Sequence, residues 1–233
     1  MTASVSAARA NRRRVVAIAI LALGGAVAPR VPATAAESPG SPPPDAATAT
    51  VAMACDDASP PTASCVIVTL HRLLAKVTAS PDLSFEARCN LLAPGVGAAF
   101  DLDFMAMKSL GPHGWNISDD AHRRWVAAFA RFTVATYARR LGGSPGRVFE
   151  IRHEEPARSD TVLVRGQVVG SGKPPIAIDY RMHQAGGAWK IVDVYADGTI
   201  SQLAVRRAEV ASLIERMSFD EVVAYVENVA NTP

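Results

Sequence analysis

Ile178-Asp179-Tyr180-Arg181-Met182-His183-Gln184-Ala185-Gly186-Gly187-Ala188-Trp189-Lys190-Ile191-Val192-Asp193-Val194-Tyr195 reads as two strands and the turn that joins them. Ile176, Ile178, Tyr180 and Met182 alternate with Ala177, Asp179, Arg181 and His183, a period of two that places one set on each face of a pleated strand. Ala185-Gly186-Gly187 is a hairpin turn, because adjacent glycines supply the positive φ angles that a tight connection needs. Upstream, Val162, Val164 and Val168 alternate with Leu163, Arg165 and Gln167. Four such segments lie between Arg147 and Tyr195, and hairpin connections make the sheet antiparallel.

Outside this block the period changes to that of a helix. Val66, Ile67, Leu70, Leu73, Leu74 and Val77 recur at three and four residues and predict a helix that stops before Pro81. A short second helix is expected from Ser84 to Pro94, and a third follows Asp101 as N-cap and stops at Gly111. The longest begins at Ser118, with Asp119 and Asp120 in its first turn, Arg139 and Arg140 in its last and Gly142-Gly143 as its stop; these charges match the helix dipole at both ends. After the strands, Leu203, Val210, Leu213 and Ile214 mark one more helix, and the capping-box pattern Ser218-Phe219-Asp220-Glu221 opens the last. Helices, then antiparallel strands, then helices is the α+β class: a twisted sheet of about four strands with helices packed on one face. Both strand faces carry apolar residues, so the layers can leave a cleft between them.

The N-terminus has a separate logic. Arg9, Arg12, Arg13 and Arg14 precede an apolar run from Val15 to Ala28, followed by Ala33-Thr34-Ala35. That is the layout of a secretory signal peptide over residues 1–35, and the run is short of the roughly 20 residues that span a bilayer. The choice between the general and the twin-arginine export route stays open. Residues 36–63, rich in Ala, Pro, Ser and Thr, read as a tether, leaving 64–233 as one domain. Removing 1–35, which carry five Arg and no acidic residue, leaves 19 basic against 22 acidic side chains. The basic balance belongs to the leader, and nucleic-acid binding, which rests on a basic face, is set aside. Cys55, Cys65 and Cys89 all remain; an oxidising compartment lets two of them pair, as Cys65 with Cys89 or through Cys55, and three free thiols are the other reading.

Three stretches carry a resemblance. Phe100-Asp101-Leu102-Asp103-Phe104-Met105 with Ser109-Leu110-Gly111 and Trp115 is the first. Phe129 to Phe132 with Tyr137-Ala138-Arg139-Arg140-Leu141 is the second, and Ile178 to Met182 with Gly187 to Val194 the third. Together, over Glu86 to Ala230, they resemble the MlaC (toluene-tolerance) family of periplasmic phospholipid-binding proteins. After Asp197-Gly198 the text Thr199-Ile200-Ser201-Gln202-Leu203-Ala204-Val205-Arg206-Arg207 departs from the usual family reading and resembles the HpnM branch, associated with hopanoid biosynthesis genes. The resemblance implies a lipid as cargo and no other cofactor: phospholipid by the wider family, a hopanoid-type lipid by the branch. It also implies a periplasmic monomer that serves an inner-membrane ABC transporter complex and an outer-membrane lipoprotein complex.

Apolar periodicity and that layout predict a lipid slot along Phe100, Phe104, Met105, Leu110, Trp115, Phe129 and Phe132 on helices and Val164, Ile178, Tyr180 and Val194 on strands. Each is equally a candidate for ordinary core, and Trp189 is assigned to core. A carrier needs no catalytic group. The enzymatic alternative is an isomerase-like fold acting on a lipid-like substrate, with Asp193 as base beside Tyr180 in an apolar cavity; against it, Asp193 caps a turn or pairs with Arg181 or Arg206. Gly142-Gly143-Ser144-Pro145-Gly146 matches G-x-S-x-G but leaves a helix for a strand, the reverse of a nucleophile elbow, and reads as a loop. The five histidines form no metal-binding spacing, so no metal is expected.

Overall fold

Polar caps start the helices, and burial of one face holds them against the sheet or against one another. A computed structural model of the chain describes Cys55 and residues 61–142, 146–170 and 173–233. The segment expected as a leader and most of the expected tether therefore lie outside the described residues, as does the centre of the Gly142–Gly146 loop. Helix α1 (Ala63–Thr78) begins where the Thr62 hydroxyl accepts from the Cys65 backbone N–H, and it buries Ile67, Leu70, Leu74 and Val77. Helix α2 (Phe85–Ala99) starts at the Ser84 cap. It does not end at Pro94 as expected but continues to Ala99. An internal proline costs about 3 kcal/mol in an isolated helix, and here Val96 and Ala99 are buried beyond it. Gly95 lets α1 and α2 approach closely, since a Cβ there would meet Cδ2 of Leu73 at 2.3 Å.

Asp101 then caps α3 (Leu102–Leu110), its carboxylate accepting from the Phe104 N–H at 3.0 Å. A 3-10 turn, Gly111–Asn116, leads to α4 (Asp119–Leu141), the 23-residue helix with Ser118 as cap. Trp125 on α4 is fully buried, and its Nε1–H donates to the Ala106 carbonyl of α3 at 2.8 Å. Among the described residues, no helix is long and apolar enough to cross a membrane.

The sheet is a meander: β1 (Val148–Ala157), β2 (Thr161–Gly170), β3 (Lys173–Ala185), β4 (Ala188–Ala196) and β5 (Ile200–Ser201) lie side by side in chain order, each antiparallel to the next. Gly186 and Gly187, with φ of 58° and 80°, make the two-residue turn between β3 and β4. β5 adds a fifth strand to the four expected: two residues paired with Tyr195 and Ala196. They are too few to show a period. Helix α5 (Gln202–Ile214) follows at once, and α6 (Phe219–Asn231) starts at the Ser218–Glu221 capping box.

Phe149, Ile151, Val164, Val168, Tyr180, Met182 and Ile191 form the buried side of the sheet, facing the apolar stripe of α1 and its neighbours. Beyond the short β5, β4 has a free edge, where the end of α2 docks: Phe100 bridges to Ile191, and the Asp101 N–H donates to the Ile191 carbonyl at 2.9 Å. The opposite face carries a polar network in which Arg165 joins Glu155 and Asp179. Cys55 and Cys65 form a disulfide, which decides between the pairings left open by the sequence, and Cys89 is free. Alkylation of the denatured, unreduced protein is expected to add one group, at Cys89, and three after reduction. Three adducts without reduction would remove the bridge.

A slot between the long helix and the sheet

Two voids flank α4. The first is a slot between α4, α3, α5 and β4, with a cavity volume of about 80 Å³. Phe100, Met105, Phe129, Phe132, Val194 and Leu203 give it apolar walls. Its other lining residues are Thr133, Thr136, Tyr137, Arg140, Gln202 and Arg206. The threonine hydroxyls donate back to the Phe129 and Phe132 carbonyls of their own helix, both at 2.8 Å, so α4 presents little unsatisfied polarity here. Tyr137 keeps some surface towards the slot, while protein encloses its phenol and burial pushes the pKa up to about 12.

The second void is an outer groove of about 610 Å³ between α2, α4 and α6, lined by Phe85, Cys89, Ala93, Leu102, Ala130 and Val134 among others. Burial pushes the Cys89 thiol pKa up there, with Arg139 and Arg88 opposing.

Of the eleven residues expected along the lipid slot, Phe100, Met105, Phe129, Phe132 and Val194 line the inner cavity together. Leu110, Val164 and Tyr180 are packed into the core away from it, each 2 % exposed or less. Phe104 is half-buried against His183 at 5.2 Å between ring centroids, and Ile178 is half-buried on β3; neither lines the slot. Trp115 falls in the 3-10 turn, and its side chain lies outside the description. Thr133, Thr136, Tyr137, Arg140, Gln202, Leu203 and Arg206 line the same cavity and were not among the expected residues.

Asp193 and Tyr180 do not share a cavity. The Asp193 carboxylate accepts from the Leu203 N–H at 3.0 Å and the Ser201 hydroxyl at 2.6 Å, and so fixes the first turn of α5 to β4. Tyr180 is buried beneath α1, its hydroxyl 3.0 Å from Nε2 of His71. Burial raises the Tyr180 pKa well above its usual range and lowers that of His71 to about 3. Both groups are thus neutral at ordinary pH and serve the core, and Asp193 takes the turn-capping role that was the structural reading of it.

Residues 69–228 match the family model described as "MlaC protein". A solved structure of a phospholipid-binding protein from Ralstonia solanacearum, in complex with a phospholipid, is similar in fold, with a TM-score of 0.59 at 21% identity, covering 79% of this chain and 96% of that one. Comparison with curated proteins gives no match.

Proposed function

The chain belongs to the MlaC family, and from that premise we propose that it is a periplasmic lipid-binding carrier that takes lipid tails into the slot between α4, α5 and the sheet. The observation that carries this reading is the slot itself: an apolar space walled by Phe100, Met105, Phe129, Phe132 and Val194, opening past polar side chains. The phospholipid held by the similar Ralstonia protein supports it. The finer reading is a shuttle between an inner-membrane ABC transporter complex and an outer-membrane lipoprotein complex, its cargo a phospholipid or a hopanoid-type lipid.

The physics of such a shuttle is modest. Each buried methylene gains about 0.8 kcal/mol against water, but a bilayer solvates the chain equally well, so a slot that roughly matches the bilayer suffices for exchange. At about 80 Å³ the slot is smaller than the roughly 300–1,000 Å³ of ordinary ligand sites. Loading therefore requires α5 to part from α4. The turn at Asp197 and Gly198, with φ of 54° and 69°, lies just ahead of α5, and the Arg206 guanidinium stacked 4.2 Å over the Phe132 ring spans the two helices.

Mass spectrometry of solvent extracts from the purified protein is the test. The expected result is a co-purifying membrane lipid near one per chain and uptake of lipid from vesicles by the stripped protein. Absence of both would end the carrier reading.

A further inference from the structure

The polar end of the slot is built with more positive charge than its surroundings neutralise. Arg140, in the last turn of α4, and Arg206, in the first turns of α5, both line it. Arg206 stacks on Phe132 and pairs with Glu209 three residues on. Arg140 makes no ion pair among the described residues, and its Nε is buried with no hydrogen-bond partner. One carboxylate thus stands beside two guanidiniums.

The two cations also act on one another. Burial lowers the Arg206 pKa, Glu209 opposes that shift, and Arg140 adds to it. Burial likewise raises the Glu209 pKa, with Arg206 and Arg140 opposing. A partly desolvated, like-charged pair is costly until an anion joins it. Guanidinium forks suit oxyanions in particular, through paired, charge-assisted hydrogen bonds.

We propose that Arg140 and Arg206 form an anion subsite at the mouth of the slot, which takes the phosphate or other oxyanion of an amphiphile whose tail enters between α4 and α5. The assignment rests on the lipid-carrier reading and sharpens it: the cargo is selected by negative charge, not by tail alone. A charged head at the mouth also replaces the Arg206 contact on Phe132, so that binding the head and parting the helices are one event.

Vesicles containing equal parts of phosphatidylglycerol and uncharged diacylglycerol, matched in acyl chains, supply the test. Lipid bound to the re-isolated protein is quantified by mass spectrometry. Wild type is expected to enrich the anionic lipid roughly tenfold, about the effect of 1.4 kcal/mol. Arg140→Gln, which breaks no ion pair among the described residues, and Arg206→Lys, which keeps charge but loses the fork, are both expected to reduce that preference towards one. Far-ultraviolet circular dichroism and thermal unfolding like those of wild type report an intact fold in both variants. No preference in wild type, or a preference kept by both variants, overturns the anion subsite while leaving the carrier reading intact. If no lipid of either kind is taken up, the carrier reading fails, and a melting-temperature titration with inorganic phosphate decides the subsite. Stabilisation lost in Arg140→Gln assigns the pair to a free oxyanion, and no stabilisation overturns it.

Discussion

Thr136→Phe is expected to abolish lipid loading, while Ala130→Phe, six residues earlier on the same helix, leaves it unchanged. Thr136 lines the inner slot and Ala130 the outer groove, so the pair separates the two voids that flank α4. The slot is the smaller by volume, about 80 against 610 Å³, and size alone would favour the groove. Placement argues otherwise. The slot lies between the helices and the sheet, where two layers can part without breaking either, and five large apolar side chains converge on it. The groove runs between α2, α4 and α6 and includes Glu86, Asn90, Arg131 and Asn231 in its lining.

A phenyl ring at position 136 occupies space that the end of an acyl chain would need. Excluding three or four methylenes, at about 0.8 kcal/mol each, lowers affinity roughly 100-fold. Overpacking costs about 1–3 kcal/mol where the core is full, and the ring enters free volume here, so thermal unfolding of Thr136→Phe should stay close to wild type. Lipid bound per protein after incubation with vesicles gives the readout. Loss of loading in Ala130→Phe, or its retention in both variants, would move the cargo out of the slot.

How much of this was readable beforehand depends on what each signal physically reports. The β3–β4 hairpin was legible because Gly186-Gly187 punctuates two period-two runs, and α4 was legible at both ends because its charges follow the helix dipole. The extension of α2 past Pro94 was not, since it rests on Val96 and Ala99 finding burial against other elements, a tertiary effect that overrides local preference. β5 exists only because Ile200 and Ser201 meet Tyr195 and Ala196 across a turn. The slot was half legible for a similar reason. Apolar spacing says which face of an element is buried, and Leu110, Val164 and Tyr180 satisfy it as well as Phe129 and Phe132 do; it does not say which buried residue borders free space. Arg140 read as a dipole complement, and Asp193 as a turn cap or ion-pair partner with a base as the alternative. Their roles follow from what α5 brings to them: Arg206 for the first, Ser201 and the Leu203 N–H for the second.

Stability is expected to fall steeply as pH drops below 6.5, and His71→Gln is expected to remove much of that dependence. His71 sits on the buried face of α1, 7 % exposed, between Phe149 and Tyr180, with ring centroids at 5.4 and 5.5 Å. Burial holds its pKa at about 3, against an ordinary 6.5. In the unfolded chain the imidazole takes a proton as pH falls through 6.5, while in the folded protein it stays neutral until about 3. The unfolded state therefore binds more protons across that window. The stabilisation is fully present above 6.5 and is lost progressively as the pH falls towards 3, at about 1.36 kcal/mol per unit. At pH 4.5 the loss from this one group comes to roughly 2.7 kcal/mol. A glutamine keeps a polar amide within reach of the Tyr180 hydroxyl and carries no titrating proton, so whatever packing it costs is the same at both ends of the range. Urea unfolding of wild type and variant at pH 7 and 4.5 measures the difference between the two pH dependences, in which other titrating groups cancel. Equal dependences would mean that His71 charges in the folded state, and that its bond to Tyr180 is not the neutral core contact that the burial of both rings implies.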